Sequence, residues 1–218
     1  MSKLNIETFP VGTLSCNCSI IYSDETKEAI IIDPGNDLQT IKTEVERLGI
    51  RVKKLLHTHA HFDHIGCSKD LASDLGAKMH LHKKDELLYK ALPAQAMMFG
   101  QKPLSAGKID SYIEDGEEFS MEDSNIKKFL KTLYTPGHTE GSCSFYSELF
   151  EQPVLFAGDT LFRQGVGRTD LPGGSFEEIK KSIKQRLYTL PDETQVITGH
   201  GPGTRIFEEK KQNPFVYA

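Results

Sequence analysis

The feature that most constrains the fold is the run Thr58-His59-Ala60-His61-Phe62-Asp63-His64, which packs three imidazoles and a carboxylate into six residues directly after the apolar stretch Val52 to Leu56. Imidazole nitrogen and carboxylate oxygen are the donors a borderline cation such as Zn²⁺ prefers, and a turn leaving a strand end lets neighbouring side chains converge. Taken alone, the run is also compatible with a solvated, histidine-rich turn. Three further residues of the same chemical type decide between these readings. His138 in TPGHTEGS follows a stretch predicted as a strand to Tyr134, Asp159 in FAGDTLF follows Val154 to Ala157, and His200 in ITGHGPGT follows Gln195 to Thr198. Each stands directly after a glycine, which allows a sharp turn and close backbone approach. Singly, each would be a turn histidine, a helix cap or an Asx turn. Together they ask for a fold in which several strand ends open onto one cleft.

The rest of the chain supplies such strands. Short aliphatic and β-branched runs at Cys18 to Tyr22, Ala29 to Asp33, Val52 to His57, Ile126 to Tyr134, Ser144 to Ser147, Val154 to Ala157 and Gln195 to Thr198 read as β-structure. Leu38, Ile41, Val45 and Leu48 follow helical spacing, with Asn36 or Asp37 as N-cap and Gly49 as the stop. A second helix is predicted from Ser175, whose spacing to Glu178 matches a capping box, through Phe176, Ile179, Ile183 and Leu187 to the break at Pro191. Strands interleaved with one-sided helices predict an α/β or α+β layered architecture. The length of 218 residues with 38% hydrophobic content predicts one domain covering residues 1–218. Residues 93–108 mix Pro, Gly and Ser with Met97, Met98 and Phe99, and read as a long connection, either a flap or a loop anchored by its apolar side chains. His57 reads as a core or ligand-orienting residue, and His80 and His82 as structural residues alternating along a strand near Ala77 to Leu81.

A net charge of −5 removes the usual electrostatic reason for a nucleic-acid partner. No run approaches the roughly 20 apolar residues that span a bilayer, and Met1 to Pro10 lacks a signal-peptide core, so a cytoplasmic protein without a membrane partner is expected. Cys16, Cys18, Cys67 and Cys143 form no paired CxxC framework and are expected as reduced thiols, with Cys16 and Cys18 on one strand face.

The motifs HTHAHFDH, PGHTEGS, GDTLF and GHGP, in this order along nearly the whole chain, resemble the metallo-β-lactamase superfamily. Within it, FAGDTLFRQGVGRTDLPGG and GHGPGTRIFEEKKQNPF resemble the short hydroxyacylglutathione hydrolases, the glyoxalase II-like thioesterases. The resemblance implies a single-domain, four-layer αββα sandwich with a site along one edge of the two sheets. It implies two divalent metal ions, zinc first and iron or manganese as alternatives: His59, His61 and His138 on one, Asp63, His64 and His200 on the other, and Asp159 bridging. A metal lowers the pKa of its water to about 7 and polarises the carbonyl under attack. The implied reaction is hydrolysis of a small-molecule thioester such as S-lactoylglutathione, whose thiolate leaves without a dedicated general acid, with Asp63 orienting the nucleophile. Arg168, after the G-x-G of Gly165 and Gly167, stands where the longer enzymes hold a substrate carboxylate. Asp170 stands in place of the tyrosine of that longer pattern, and no room is expected here for the helical C-terminal extension of those enzymes, so glutathione is the reference thiol and not a required one. Two related activities share much of the pattern: iron-dependent persulfide dioxygenases, which use two histidines and a carboxylate on one iron, and lactonases.

Overall fold

The computed structural model describes residues 4–122 and 126–217. Strands β1 (Leu4–Val11), β2 (Cys16–Ser23), β3 (Glu28–Ile32), β4 (Arg51–Leu56), β5 (Lys78–His82) and β6 (Ser111–Ile113) form one sheet in sequence order. Its first three strands are antiparallel and the last four parallel. A second sheet contains β7 (Glu118–Phe119), β8 (Leu130–Tyr134), β9 (Cys143–Ser147) and β10 (Val154–Gly158). After the small hairpin β11 (Leu161–Phe162) and β12 (Gly165–Val166), β13 (Gln195–Thr198) and β14 (Thr204–Arg205) complete it in the order β14-β13-β10-β9-β8-β7.

The side-chain period of two explains the layering. Every residue of β3 and of β10 is buried, so neither strand has a wet face, and parity alone decides which core each side chain enters. Ile30, Ile32, Leu56, Phe145, Val154 and Phe156 meet between the sheets. Their neighbours Ala29, Ile31 and Leu55 face outward onto α1 (Leu38–Leu48), through Ile41 and Val45. The same outer layer includes Leu71 of α3 (Ser68–Leu75), which follows the single-turn α2 (Phe62–Ile65), then Tyr89 of α4 (Glu86–Lys90) and Leu92 of α5 (Leu92–Met98). Leu155, Ala157 and Tyr146 face outward from the second sheet onto Ile179 of α6 (Phe176–Ser182) and Ile206 of α7 (Ile206–Gln212). The result is helix, sheet, sheet, helix, the four-layer αββα sandwich, whose three apolar interfaces come from strands that alternate between two cores. Among the described residues, no helix is long and apolar enough to cross a membrane.

Caps follow the sequence signals. Asp37 accepts from the Thr40 amide, Gly49 closes α1 at φ 61°, and Ser175 accepts from the Glu178 amide. Three expectations need correction. The strand expected from Ile126 begins only at Leu130, because Lys128 turns the chain at φ 50° and Ile126 serves as acceptor for the Met121 amide. The connection expected over 93–108 is helical as far as Met98: Pro93 lies in the first turn of α5, where its missing N–H costs nothing. The helix from Ser175 stays α-helical only to Ser182 and then widens into a π-turn over Ile183–Leu187. His57 is a core tie: its Nδ1 donates to the His80 carbonyl at 2.7 Å and its Nε2 accepts from Ser68 Oγ at 2.7 Å.

His80 is buried against Phe119 with neither ring nitrogen hydrogen-bonded, and burial pushes its pKa down to about 4. An unfolded chain takes up a proton at this residue below its ordinary value of 6.5, whereas the folded protein refuses it down to about 4. Stability attached to His80 is therefore present above pH 6.5 and lost as the pH falls through that window. The variant His80→Leu removes this loss: urea unfolding between pH 7 and pH 4 should show its midpoint gaining on the wild type as the pH falls.

Candidate metal centre

Four strand ends supply the site. The chain leaves β4 into Thr58 to His64, β8 into His138, β10 into Asp159 and β13 into His200, so both sheets contribute. The seven candidate ligands foreseen from sequence come together. Donor atoms of His59, His61 and His138 lie within 4.8 Å of one another, as do those of Asp63, His64 and His200. Asp159 faces both groups with separate oxygens: Oδ2 is 3.5 Å from His138 Nε2, and Oδ1 is 3.4 Å from His64 Nε2 and 3.7 Å from His200 Nε2. Asp63 Oδ2 is 3.1 Å from His200 Nε2.

Two glycines make this convergence possible. At Gly199 a Cβ would sit 1.9 Å from Asp159 Oδ1, in the space the carboxylate occupies. Gly158 holds φ 51°, and a Cβ there would stand 2.4 Å from Thr58 Oγ1. Any side chain at either position would push the strand ends apart.

The hydrogen bonds behind the imidazoles assign their protons. His138 Nδ1 donates to the Arg168 carbonyl at 2.8 Å, His200 Nδ1 to the Leu14 carbonyl at 2.9 Å, and His64 Nδ1 to Asp33 Oδ2 at 3.0 Å. Thr58 Oγ1 donates to Asp33 Oδ2 at 2.5 Å and accepts from His59 Nδ1 at 3.0 Å. In each neutral ring the proton is therefore on Nδ1, leaving Nε2 as a bare lone pair aimed into the cluster. His64 Nε2 and His200 Nε2 are only 3.1 Å apart, and His61 Nδ1 is 2.9 Å from His138 Nε2. His59 Nε2 and Asp159 Oδ1 are buried without any hydrogen bond. With both rings neutral, His64 and His200 set lone pair against lone pair, and the orphaned His59 Nε2 and Asp159 Oδ1 add two more buried basic atoms, a cost that a positive charge among them removes. The donor set thus fits divalent cations.

The electrostatics point the same way. Burial drives the His59 pKa far down and the His61 pKa to about 3, so both stay in the neutral form that coordinates metals. Burial alone would raise the carboxyl of Asp159, but the imidazoles of His64, His138 and His200 outweigh it and hold it well below the usual range. Around His64 burial opposes a charge, yet Cys16 and the carboxylates of Asp159, Asp63 and Asp33 outweigh it and raise its pKa well above the ordinary imidazole value. The hydrogen bond to Asp63 and the charge of Asp159 likewise raise His200 against burial, so this half of the cluster draws in positive charge, a proton when no cation is there.

Several residues that matter here were not singled out from sequence. Asp33 also accepts from the Thr58 amide at 2.8 Å, so one buried carboxylate orients both Thr58 and His64. Its signal was present: a carboxylate ending the run Ile30-Ile31-Ile32. Asp85 is buried and accepts from the Ala60 amide at 3.0 Å, the Thr139 hydroxyl at 2.8 Å and the Gly141 amide at 2.7 Å, tying the loop after β4 to the loop after β8. Asn17 donates its side-chain amide to the carbonyls of Thr198 and Gly201, clamping the loop that carries His200. Cys16 lies 3.5 Å from His64 Nδ1, and burial pushes its thiol up to about 12. All four cysteines are free and buried.

Above the cluster lies a cleft of about 610 Å³, reached by Asp63, His138, Asp159 and His200. Arg168 lines it, but its guanidinium is paired with Asp170 through two 2.8 Å hydrogen bonds; the atom of Arg168 that serves the cluster is its backbone carbonyl.

Residues 11–200 match a family model described as the metallo-beta-lactamase superfamily. A protein of Haemophilus influenzae named hydroxyacylglutathione hydrolase GloC is 39% identical over 215 residues, with 98% of each chain covered. Among solved structures, one described as the BLEG-1 B3 metallo-beta-lactamase superposes with a TM-score of 0.88 at 34% identity, over 98% of this chain and 100% of that one. A second, TTHA1623 in a di-iron-bound form, gives 0.85 at 33% identity, over 96% and 100%.

Removing either buried carboxylate leaves its donors without an acceptor in the interior. Asp33→Ala and Asp85→Ala should each destabilise the metal-free protein by about 2–4 kcal/mol, read from urea unfolding; a change below about 0.5 kcal/mol would show that water takes over these contacts.

Proposed function

The chain belongs to the metallo-beta-lactamase superfamily, and from that premise we propose that it is a hydrolase of hydroxyacyl thioesters of the S-lactoylglutathione type, working with two divalent ions. The observation that carries this reading is the pair of donor groups sharing Asp159, one carboxylate oxygen turned to each. In it, His59, His61 and His138 would hold one ion and Asp63, His64 and His200 the other, with Asp159 available to either. A one-ion site would leave Asp63, His64 and His200 without a task. Zinc suits the nitrogen-rich donor set, and iron or manganese are accepted by the same residue types; a related protein has been solved with two irons. When bound, the ions supply Lewis acidity at the substrate carbonyl and make water acidic enough to attack near neutral pH.

The protein's own groups do the rest. Burial would raise the Asp63 carboxyl, but the imidazoles of His64 and His200 outweigh it and keep it below the usual carboxylate range, hence ionised at neutral pH. From the floor of the cleft its carboxylate can accept a proton-bearing hydrogen bond from the attacking water and orient it. Asp33, Thr58 and the backbone carbonyls of Leu14 and Arg168 keep the Nδ1 protons of His64, His59, His200 and His138 turned away from the cleft, so these four imidazoles present one fixed tautomer. A thiolate leaves without needing a proton first, which suits a site whose histidines are all occupied as ligands. Arg168 would meet a substrate carboxylate only by giving up its bidentate pair with Asp170.

Purified protein should carry close to two transition-metal ions per chain and release thiol from S-lactoylglutathione. Chelation should abolish the activity, and added zinc, iron or manganese should restore it. Protein free of such metals that keeps its activity after chelation would sink the two-ion mechanism, and oxygen uptake with glutathione persulfide in place of thiol release would overturn the hydrolase reading. Thr58→Val, which takes away the acceptor of His59 Nδ1, should weaken binding of metal by about ten- to a hundredfold, measured by competition with a chelator of known affinity.

A further inference from the structure

The cleft has two chemically different walls. One is the cluster itself; the other is built from α4 and α5, with Leu14 from the turn between β1 and β2. Leu87 and Met98 line this second wall although 77% and 80% of their surface is exposed, and Phe99 beside them is 47% exposed. Scattered apolar side chains on a surface need no explanation, but these converge on one rim of one cleft. The wall is coupled to the cluster through Phe62, which stands between His61 and Asp63 and packs on Phe99 with ring centroids 5.0 Å apart. Its position is fixed as well: Gln95 of α5 accepts from the Phe62 amide at 3.1 Å and donates to the carbonyls of Ala60 at 3.1 Å and Leu88 at 2.7 Å. An apolar group seated against α4 and α5 is thereby registered to the donor atoms.

The charges along the cleft argue against a tail rich in carboxylates. Arg168 is taken by Asp170, and Lys84 lies over the Tyr134 ring, 5.2 Å from its centroid. Away from the cluster the other charged side chains lining the space, Asp85 and Glu140, are acidic, while leucine, methionine, phenylalanine and proline make up much of the remainder.

We propose that the thioester cleaved at this site carries an apolar arm, lying between the cluster and the α4–α5 wall, and that Leu87, Met98 and Phe99 determine specificity for it. The inference rests on the thioesterase reading above. The arm is an alkyl or aryl substituent on either the acyl or the thiol side of the scissile bond. Methionine fits such a role because its unbranched thioether adapts to arms of different shape.

Binding can be tested without turnover. The protein as purified, with its metal content measured, is titrated calorimetrically with inert thioethers, S-methyl and S-octyl, each built on N-acetylcysteamine and on glutathione. The octyl compound should bind at least tenfold more tightly than the methyl one, since complete burial of a methylene is worth about fourfold, and the glutathione scaffold should give no gain over N-acetylcysteamine. In Leu87→Ser/Met98→Ser, two exposed positions, the octyl advantage should fall below threefold. Equal binding of methyl and octyl compounds, an octyl advantage kept by the double variant, or a tenfold preference for the glutathione scaffold would each overturn the proposal. With metal-loaded protein, a KM that falls from acetyl to hexanoyl thioesters assigns the arm to the acyl side, and one that falls only as the thiol is lengthened assigns it to the thiol side. If no thioester is cleaved yet the octyl advantage stands, the functional reading fails and the assignment of the apolar wall survives.

Discussion

The geometry of the candidate site hangs on two buried carboxylates whose oxygens are taken up by hydrogen bonds within the protein. Once the chain leaves β4 it loses the ladder that satisfied its backbone, while it must hold His59, His61, Asp63 and His64 in fixed directions inside a dry region. Asp33 and Asp85 provide the missing acceptors. Asp33 takes the amide and hydroxyl of Thr58 and the Nδ1 proton of His64; Asp85 takes the amides of Ala60 and Gly141 and the hydroxyl of Thr139. One ties the turn to its own sheet and the other ties it to the loop from the opposite sheet. Preorganisation of this kind matters because lone pairs forced to 3 Å separations would otherwise relax apart.

How much of this can be read from the residues alone follows from physical range. The four layers are legible because strands buried on both faces have nearly unbroken apolar runs, and the amphipathic helices that cover them show helical spacing with clear caps at Asp37 and Ser175. The gathering of His59, His61, Asp63, His64, His138, Asp159 and His200 is legible because each is an ionisable residue at the end of an apolar run, with glycine before the last three. Asp85 was invisible for the opposite reason. It sits in Lys83-Lys84-Asp85-Glu86, which looks like a solvated charged turn, and only tertiary packing shows that one of the four is buried. Asn17 is silent likewise: its partners lie more than 180 positions away.

The reading of residues 93–108 as one long connection failed on a single residue type. Proline, glycine and serine mark loops on average, but a proline in the first helical turn needs no hydrogen-bond donor, so Pro93 opens α5 instead of breaking it. The same stretch shows why exposed methionine and phenylalanine are ambiguous in sequence: a core anchor and a cleft wall have the same composition. Arg168 teaches a related point, since its side chain drew attention while its backbone carbonyl does the orienting of His138.

Gln95 has a bearing on how such a protein can change over generations. By bonding the backbone of the His59–Asp63 turn to α5, it lets the bond-breaking machinery stay rigid while the residues that meet the substrate's periphery, Leu87 and Met98, hang from the outer side of two short helices with little buried surface. Drift at those outer positions is cheap in stability, so a lineage can shift its diet of substrates by point replacement there while the residues beneath remain untouched.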